Sequence, residues 1–141
     1  MLIVQKYGGS SVANAERVLN VAKRIMRTRM EGHDVVVVLS AQGKTTDGLI
    51  AKAKEINHKP SRREMDMLLS TGEQQSVALM AMALQAMDVP AISLNAFQVR
   101  MNGTSRYSNS RFKRIDTERI ENELEAKKIV IVTGFQAVNK H

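Results

Sequence analysis

The sequence has no cysteine, which excludes disulfide staples, thiol nucleophiles and thiolate zinc sites together. Histidine is scarce: His33, His58 and His141 stand far apart and share no helical or hairpin spacing. A histidine-based metal cluster is therefore not expected, and each reads more simply as a loop or terminal residue. No apolar run approaches the ~18 residues that a membrane span needs. The opening Met1-Leu2-Ile3-Val4-Gln5-Lys6 lacks the basic segment and apolar stretch of a secretory signal. Internal repeats and low-complexity segments are also missing. These absences describe a cytoplasmic protein with no membrane association.

What is present fits one globular domain. The 141 residues match the commonest domain size, and a chain of this length buries roughly two-thirds of its unfolded surface. Hydrophobic residues make up 43% and charged residues 25%, which argues against disorder. Lys and Arg outnumber Asp and Glu by 21 to 14, a net charge of +7, so a polyanionic partner has to be weighed. Part of the excess lies in Arg100 to Arg114, where Arg100, Arg106, Arg111, Lys113 and Arg114 meet no acid. Only Tyr107 and Phe112 offer rings there, without the spacing of a known nucleic-acid module. A solvated or phosphate-facing loop is expected, and no nucleic-acid partner.

Along the chain, short apolar runs alternate with amphipathic stretches. Leu2 to Val4, with Gln5 and Lys6, reads as a strand ending at a glycine pair. Ala13 to Arg29 reads as a helix on the stripe Val18, Val21, Ala22 and Ile25, with Ser10 or Ser11 as its N-cap and Gly32 as its stop. Asp34 to Leu39 is a continuous β-branched run, the signature of a strand covered on both faces. A polar loop, Ser40 to Asp47, precedes a helix to Asn57 and a break near Pro60. Arg63 to Met87 is helical by composition, with an interruption expected at Ser70-Thr71-Gly72. Its second half (Val77, Leu79, Met80, Met82, Ala83, Leu84, Met87) is apolar nearly all round and reads as a core helix, its methionines filling gaps. Ala91 to Leu94 is a third strand. A helix from Thr117 to Glu125, capped by Asp116 or Thr117, leads to a fourth over Lys128 to Thr133. The alternation predicts an open, mainly parallel sheet between helices, an α/β fold. A sheet closing on so hydrophobic a strand would leave an open edge or continue into further chain.

In open parallel sheets, ligands bind at the carboxyl ends of the strands, and three such ends carry small or polar residues. Lys6-Tyr7-Gly8-Gly9-Ser10-Ser11 could bring backbone N–H groups and one positive charge to an anion; a plain tight turn accounts for the glycines equally well. The spacing of a Walker A loop is absent. Ser40, Thr45 and Thr46, around Gly43, could hold phosphate or a small substrate, or could simply cap a helix. Glu73, after Ser70-Thr71-Gly72, could bind an ammonium group, although a helix N-terminus alone would also explain an acid there.

Four of these strings together carry a resemblance. Lys6-Tyr7-Gly8-Gly9-Ser10-Ser11-Val12, Val35-Val36-Val37-Val38-Leu39-Ser40-Ala41 with Thr45-Thr46-Asp47, Arg63 to Glu73, and Ile129-Val130-Ile131-Val132-Thr133-Gly134-Phe135-Gln136 resemble the N-terminal part of aspartokinases, in order and at matching spacing from residue 2 to about 139. The resemblance implies the amino-acid-kinase αβα sandwich and phosphoryl transfer from ATP, with Mg2+ bound through the nucleotide, to the side-chain carboxylate of L-aspartate. That reaction is the first step toward lysine, threonine and methionine. By motif, Lys6 would stabilise the transferring group, Lys6, Tyr7, Gly8, Gly9 and Ser40 would bind the nucleotide, and Thr45, Thr46, Asp47 and Glu73 would hold aspartate. No residue is assigned to metal. Ala137 stands where the family usually has a third glycine, and Tyr107-Ser108-Asn109-Ser110-Arg111-Phe112 departs from the family's usual loop. The resemblance also implies that residues 1–141 are the first portion of the catalytic domain, without regulatory ACT domains, so that self-association or pairing with a longer kinase chain is a further expectation.

Overall fold

The computed structural model describes residues 1–94 and 118–134. The basic stretch Arg100 to Arg114, the expected cap at Asp116 or Thr117, Ala137 and His141 lie outside the described residues. Among the described residues four strands, β1 (Leu2–Tyr7), β2 (Asp34–Leu39), β3 (Ala91–Leu94) and β4 (Ile129–Thr133), form one sheet in the order β1-β2-β4-β3. Every neighbouring pair is parallel, as the alternation of runs predicts. The helices are α1 (Ala15–Met30), α2 (Thr45–Ile56), α3 (Arg62–Ala86) and α4, described over 118–125.

The period-2 pleat of β2 divides the core in two. Val35, Val37 and Leu39, with Ile129 and Ile131 of β4, pack against Val18, Val21, Ala22 and Ile25 of α1 and Val77, Met80 and Leu84 of α3. Val36, Val130, Val132 and Leu94 face the other way, onto Leu124 and the half-buried Ile120 of α4. Helices therefore cover both faces, and each buried Val or Ile contributes about 1.5–3 kcal/mol. The last strand is not an open edge: β4 is buried along its whole length between β2 and β3. Among the described strands the edges are β1 and β3, and β1 shows the alternating exposure of a strand with one covered face.

Three local expectations change. The N-cap of α1 is Asn14, whose Oδ1 accepts from the Arg17 N–H at 2.9 Å. Ser10 and Ser11 instead sit in a 3-10 turn over Gly9–Val12, closed by the Ser11 N–H donating to the Gly8 carbonyl at 3.1 Å. α3 runs without interruption through Ser70-Thr71-Gly72, because the Ser70 and Thr71 hydroxyls donate back to the Met67 and Leu68 carbonyls at 2.8 and 2.7 Å. Satisfied inside their own helix, these polar groups have no need to break it. The second half of α3 is not buried all round: Leu79 and Met82 are exposed, since the helix packs on the sheet with one face only. Gly32 ends α1 with φ +97°, as expected. Among the described residues no helix is long and apolar enough to cross a membrane.

Candidate functional site

The parallel register brings the carboxyl ends of three strands level. Tyr7 stands beside Leu39 and Leu39 beside Thr133, so the segments that follow leave the sheet from one edge. Main-chain bonds stitch them together. The Ser40 N–H donates to the Tyr7 carbonyl at 3.4 Å, Gly43 N–H to Gly9 at 3.0 Å, and Gly134 N–H to Leu39 at 2.9 Å. The Gln42 side chain adds a bond from Nε2 to the Val12 carbonyl at 2.8 Å.

The two adjacent glycines after β1 have different reasons to be there. A Cβ on Gly9 would lie 2.5 Å from the Ala41 carbonyl oxygen and 3.2 Å from the Gly43 nitrogen, so Gly9 is the price of bringing two backbones into contact. A Cβ on Gly8 would meet nothing within 4 Å. The free space that an anion cradle requires is at Gly8. Both glycines are expected to cradle phosphates; the structure gives Gly9 a packing duty in addition.

α3 reaches the same edge through Gly72. A Cβ there would stand 3.1 Å from the Ala41 Cβ and 3.2 Å from the Thr45 Cγ2. Helix and loop thus touch where Gly72 has no side chain, which fixes the next residue, Glu73, beside the first turn of α2. That turn carries Thr45, Thr46 and the exposed Asp47, and its cap, Lys44, makes no side-chain capping bond. Glu73 lies in the middle of α3 and not at a helix N-terminus, so the dipole does not account for it. It is half-buried, and burial pushes its carboxyl up to about 7. Among the described residues no ion pair reaches it. A desolvated carboxyl without a partner is suited to an incoming cation, whose charge would favour the ionised form.

Lys6 and Tyr7 point to opposite faces of β1. Lys6 is exposed and stands in register with Val38, on the α4 side of the sheet, with no carboxylate bound among the described residues. The Tyr7 ring packs against the α1 and α3 core, and its hydroxyl donates to Gln5 Oε1 at 3.1 Å. Tyr7 therefore brings its main chain to the strand end, while its side chain braces β1 against α1. The structure gathers Gly8, Gly9, Ser40, Thr45 and Glu73 around one edge. It also shows two residues to which the sequence assigns no site role. Gly72 has a visible signal, a glycine inside a helical run. Ser76, one turn beyond Glu73, has none: it is buried, and its hydroxyl finds no partner among the described residues. Among the described residues no three His, Cys, Asp or Glu side chains gather as a metal cage.

Comparison with known proteins agrees with this architecture. The family model described as the amino acid kinase family matches residues 1–141. The chain is 50% identical over 139 residues to the aspartokinase of Geobacillus stearothermophilus, covering 99% of this chain and 34% of that one. It is 47% identical to aspartokinase 2 of Bacillus subtilis, again over 99% of this chain and 34% of the relative. It thus spans about a third of the length of these curated relatives. Among solved structures, aspartate kinase from Synechocystis superposes with a TM-score of 0.76 at 44% identity, covering 95% of this chain and 22% of that one. E. coli aspartokinase III in complex with aspartate and ADP superposes with a TM-score of 0.74 at 20% identity, over 96% and 41%, and shares the fold. With the glycine turn, the hydroxyl loop and the half-buried glutamate in place on a parallel sheet, this chain belongs to the amino acid kinase family.

Proposed function

We propose that the chain is the N-terminal portion of an aspartokinase catalytic domain, acting in ATP-dependent phosphorylation of the side-chain carboxylate of L-aspartate to 4-phospho-L-aspartate. The observation that carries the reading is the meeting at one strand-end edge of an open glycine turn, a hydroxyl-bearing loop and a desolvated Glu73 with no ion pair among the described residues. The 50% identity to an aspartokinase supports the choice of substrate.

In this reading the Glu73 carboxylate binds the α-ammonium of aspartate. The Thr45 and Thr46 hydroxyls, with Asp47 beside them, orient the amino acid from the first turn of α2. ATP with Mg2+ supplies the transferable phosphoryl group when bound. The chain fits a polyphosphate at two points: the space beside Gly8 is free, and the Lys6 ammonium has no counter-charge among the described residues. Lys6 offsets negative charge on the transferring group, Gly8 and Gly9 present backbone N–H groups, and Ser40 adds a hydroxyl at the end of β2. Magnesium characteristically keeps water and phosphate oxygens as ligands, and the reading assigns it no side chain here. Phosphoryl transfer needs little covalent help from a protein, so positioned cations and donors carry the catalysis. The reading places the reaction in the cytoplasm, at the first step toward lysine, threonine and methionine.

The test joins this chain to the remaining two-thirds of the Geobacillus stearothermophilus relative and traps the acyl phosphate with hydroxylamine. ATP-dependent aspartyl hydroxamate is expected. Lys6→Ala should lower turnover by about a hundredfold, the scale of losing one charge-stabilising donor, and Glu73→Ala should chiefly raise KM for aspartate. Full activity in both variants would overturn the assignment.

A further inference from the structure

On the far side of the glycine turn, α1 and the 3-10 turn before it enclose an open cleft lined by Ser10, Ser11, Arg17, Asn20, Val21 and Arg24. Arg17 and Arg24 are seven residues apart on α1, two turns of helix, and so share one face with their Cα atoms about 10 Å apart. Arg17 Nη1 donates to the Ser10 carbonyl at 2.7 Å, which holds this guanidinium at the mouth of the cleft with most of its N–H groups unspent. Arg24 lies near enough to Tyr7 to work against the rise that burial imposes on the tyrosine hydroxyl. Among the described residues neither arginine has a carboxylate within ion-pairing distance. The one acid in the first turn of α1, Glu16, precedes Arg17 by one residue and so sits about 100° around the helix.

Two guanidiniums lining one concave surface without a counter-charge among the described residues repel each other, and an anion between them turns that repulsion into attraction. Guanidinium forks match tetrahedral phosphate oxygens in geometry. The Ser10 and Ser11 hydroxyls and the Asn20 carboxamide add neutral donors, and Val21 provides an apolar floor. The cleft is bounded by one helix and one short turn, a fit for a small ligand and not for an extended chain. We infer that the Arg17–Arg24 cleft binds a phosphate-type dianion, either inorganic phosphate or the phosphoryl group of a small metabolite. This site differs from the strand-end edge proposed for the nucleotide, and the inference stands without that proposal. Because Ser10 and Ser11 directly follow Gly8 and Gly9, an occupied cleft stiffens the turn from which those glycines act.

The experiment is an NMR titration of the 15N-labelled chain with inorganic phosphate and, separately, with glycerol 3-phosphate, following backbone amides and arginine Nε–H signals. Saturable shifts at Ser10, Ser11, Asn20 and Arg24 are expected. Arg24→Gln should weaken the midpoint about tenfold or more, the worth of one charge-assisted bond. Arg17→Gln also removes the bond to Ser10, so Arg24→Gln, checked for an unchanged melting temperature, is the decisive variant. Arg24→Lys should retain part of the affinity, and Lys6→Ala should leave these shifts intact. A lower midpoint for inorganic phosphate assigns the cleft to the free ion, and a lower midpoint for the ester assigns it to a phosphorylated metabolite. Shifts that never saturate, that persist unchanged in Arg24→Gln, or that vanish only in Lys6→Ala would overturn the inference. Tighter binding of an oligoglutamate peptide at the same residues would overturn it too. Loss of the strand-end response alone, in Lys6→Ala, would bear on the nucleotide site and leave the cleft standing.

Discussion

Replacing each of the two glycines after β1 by alanine separates packing from ligand space. At Gly9 the new methyl would sit 2.5 Å from the Ala41 carbonyl oxygen, a contact with backbone that no side-chain rotation relieves. That loop is itself held by bonds from Gly43 to Gly9 and from Gln42 to Val12, so two linked segments must separate. Gly9 does not have a positive φ, so the whole penalty is steric. Overpacking of this kind costs about 1–3 kcal/mol, and a backbone clash belongs at the upper end. At Gly8 the backbone is extended, φ −83° and ψ 175°, and the methyl meets open space. There alanine stabilises by about 0.4–1 kcal/mol through the unfolded chain. The two neighbours should differ by about 3–4 kcal/mol, which is about 10 °C in melting temperature for a domain of this size. Thermal and urea denaturation followed by circular dichroism measure both. Nucleotide titration should show the reverse order of harm, with folded Gly8→Ala losing affinity. Equal stability of the two variants, or a less stable Gly8→Ala, would refute the division of labour between them.

In the proposed role, Glu73 ties aspartate binding to pH. Its carboxyl titrates near 7 in the folded chain against 4.5 ordinarily, so the folded state holds more protons across that window and stability falls as pH rises through it; Glu73→Gln should flatten this slope in denaturation curves. Since an ammonium needs the ionised form, aspartate affinity should rise about tenfold between pH 6 and pH 8, with proton release seen by calorimetry in buffers of different ionisation enthalpy, and a flat profile would contradict the role. The buried, partnerless Ser76 hydroxyl costs stability, so Ser76→Ala should stabilise the chain by about 1 kcal/mol, a gain read from its melting temperature. Gly72→Ala gains about 1 kcal/mol of helix propensity but crowds Ala41 and Thr45. Near-neutral stability with a raised KM for aspartate is expected in the hydroxamate assay.

The elements that announce themselves in the sequence are those whose pattern is local. Asp34 to Leu39 is a strand between those same residues because five adjacent apolar side chains need cover on both sides. α1 follows from the three- and four-residue steps of Val18, Val21, Ala22 and Ile25, all buried as expected. What stays hidden depends on distant partners. That β4 inserts between β2 and β3 is a matter of which strand meets which, and no run of residues carries that. The continuity of α3 rests on hydroxyls finding carbonyls of their own helix, whereas Ser-Thr-Gly as a string reads as a break. At the candidate site the residue types are legible, since glycines, hydroxyls and an acid follow strand ends. Their division of labour is not. Gly8 and Gly9 look alike until the position of Ala41 is known, and the raised proton affinity of Glu73 comes from burial that only packing creates.

The central place of β4 has a consequence for how the molecule is made. Among the described strands β3 pairs with β4 alone, whereas β1 and β2 pair with each other. On the ribosome, β1, α1 and β2 can close into a first unit as soon as residue 39 has emerged, from contacts near in sequence. β3 then leaves the exit tunnel ahead of its described partner, and its ladder with β4 waits until residues 129–133 follow. Long-range pairing of this kind folds slowly, and α3 must shield the apolar flank of β2 in the interval. Any delay in elongation once residues 129–133 have left the tunnel lets the sheet zip shut before later residues compete for its edges.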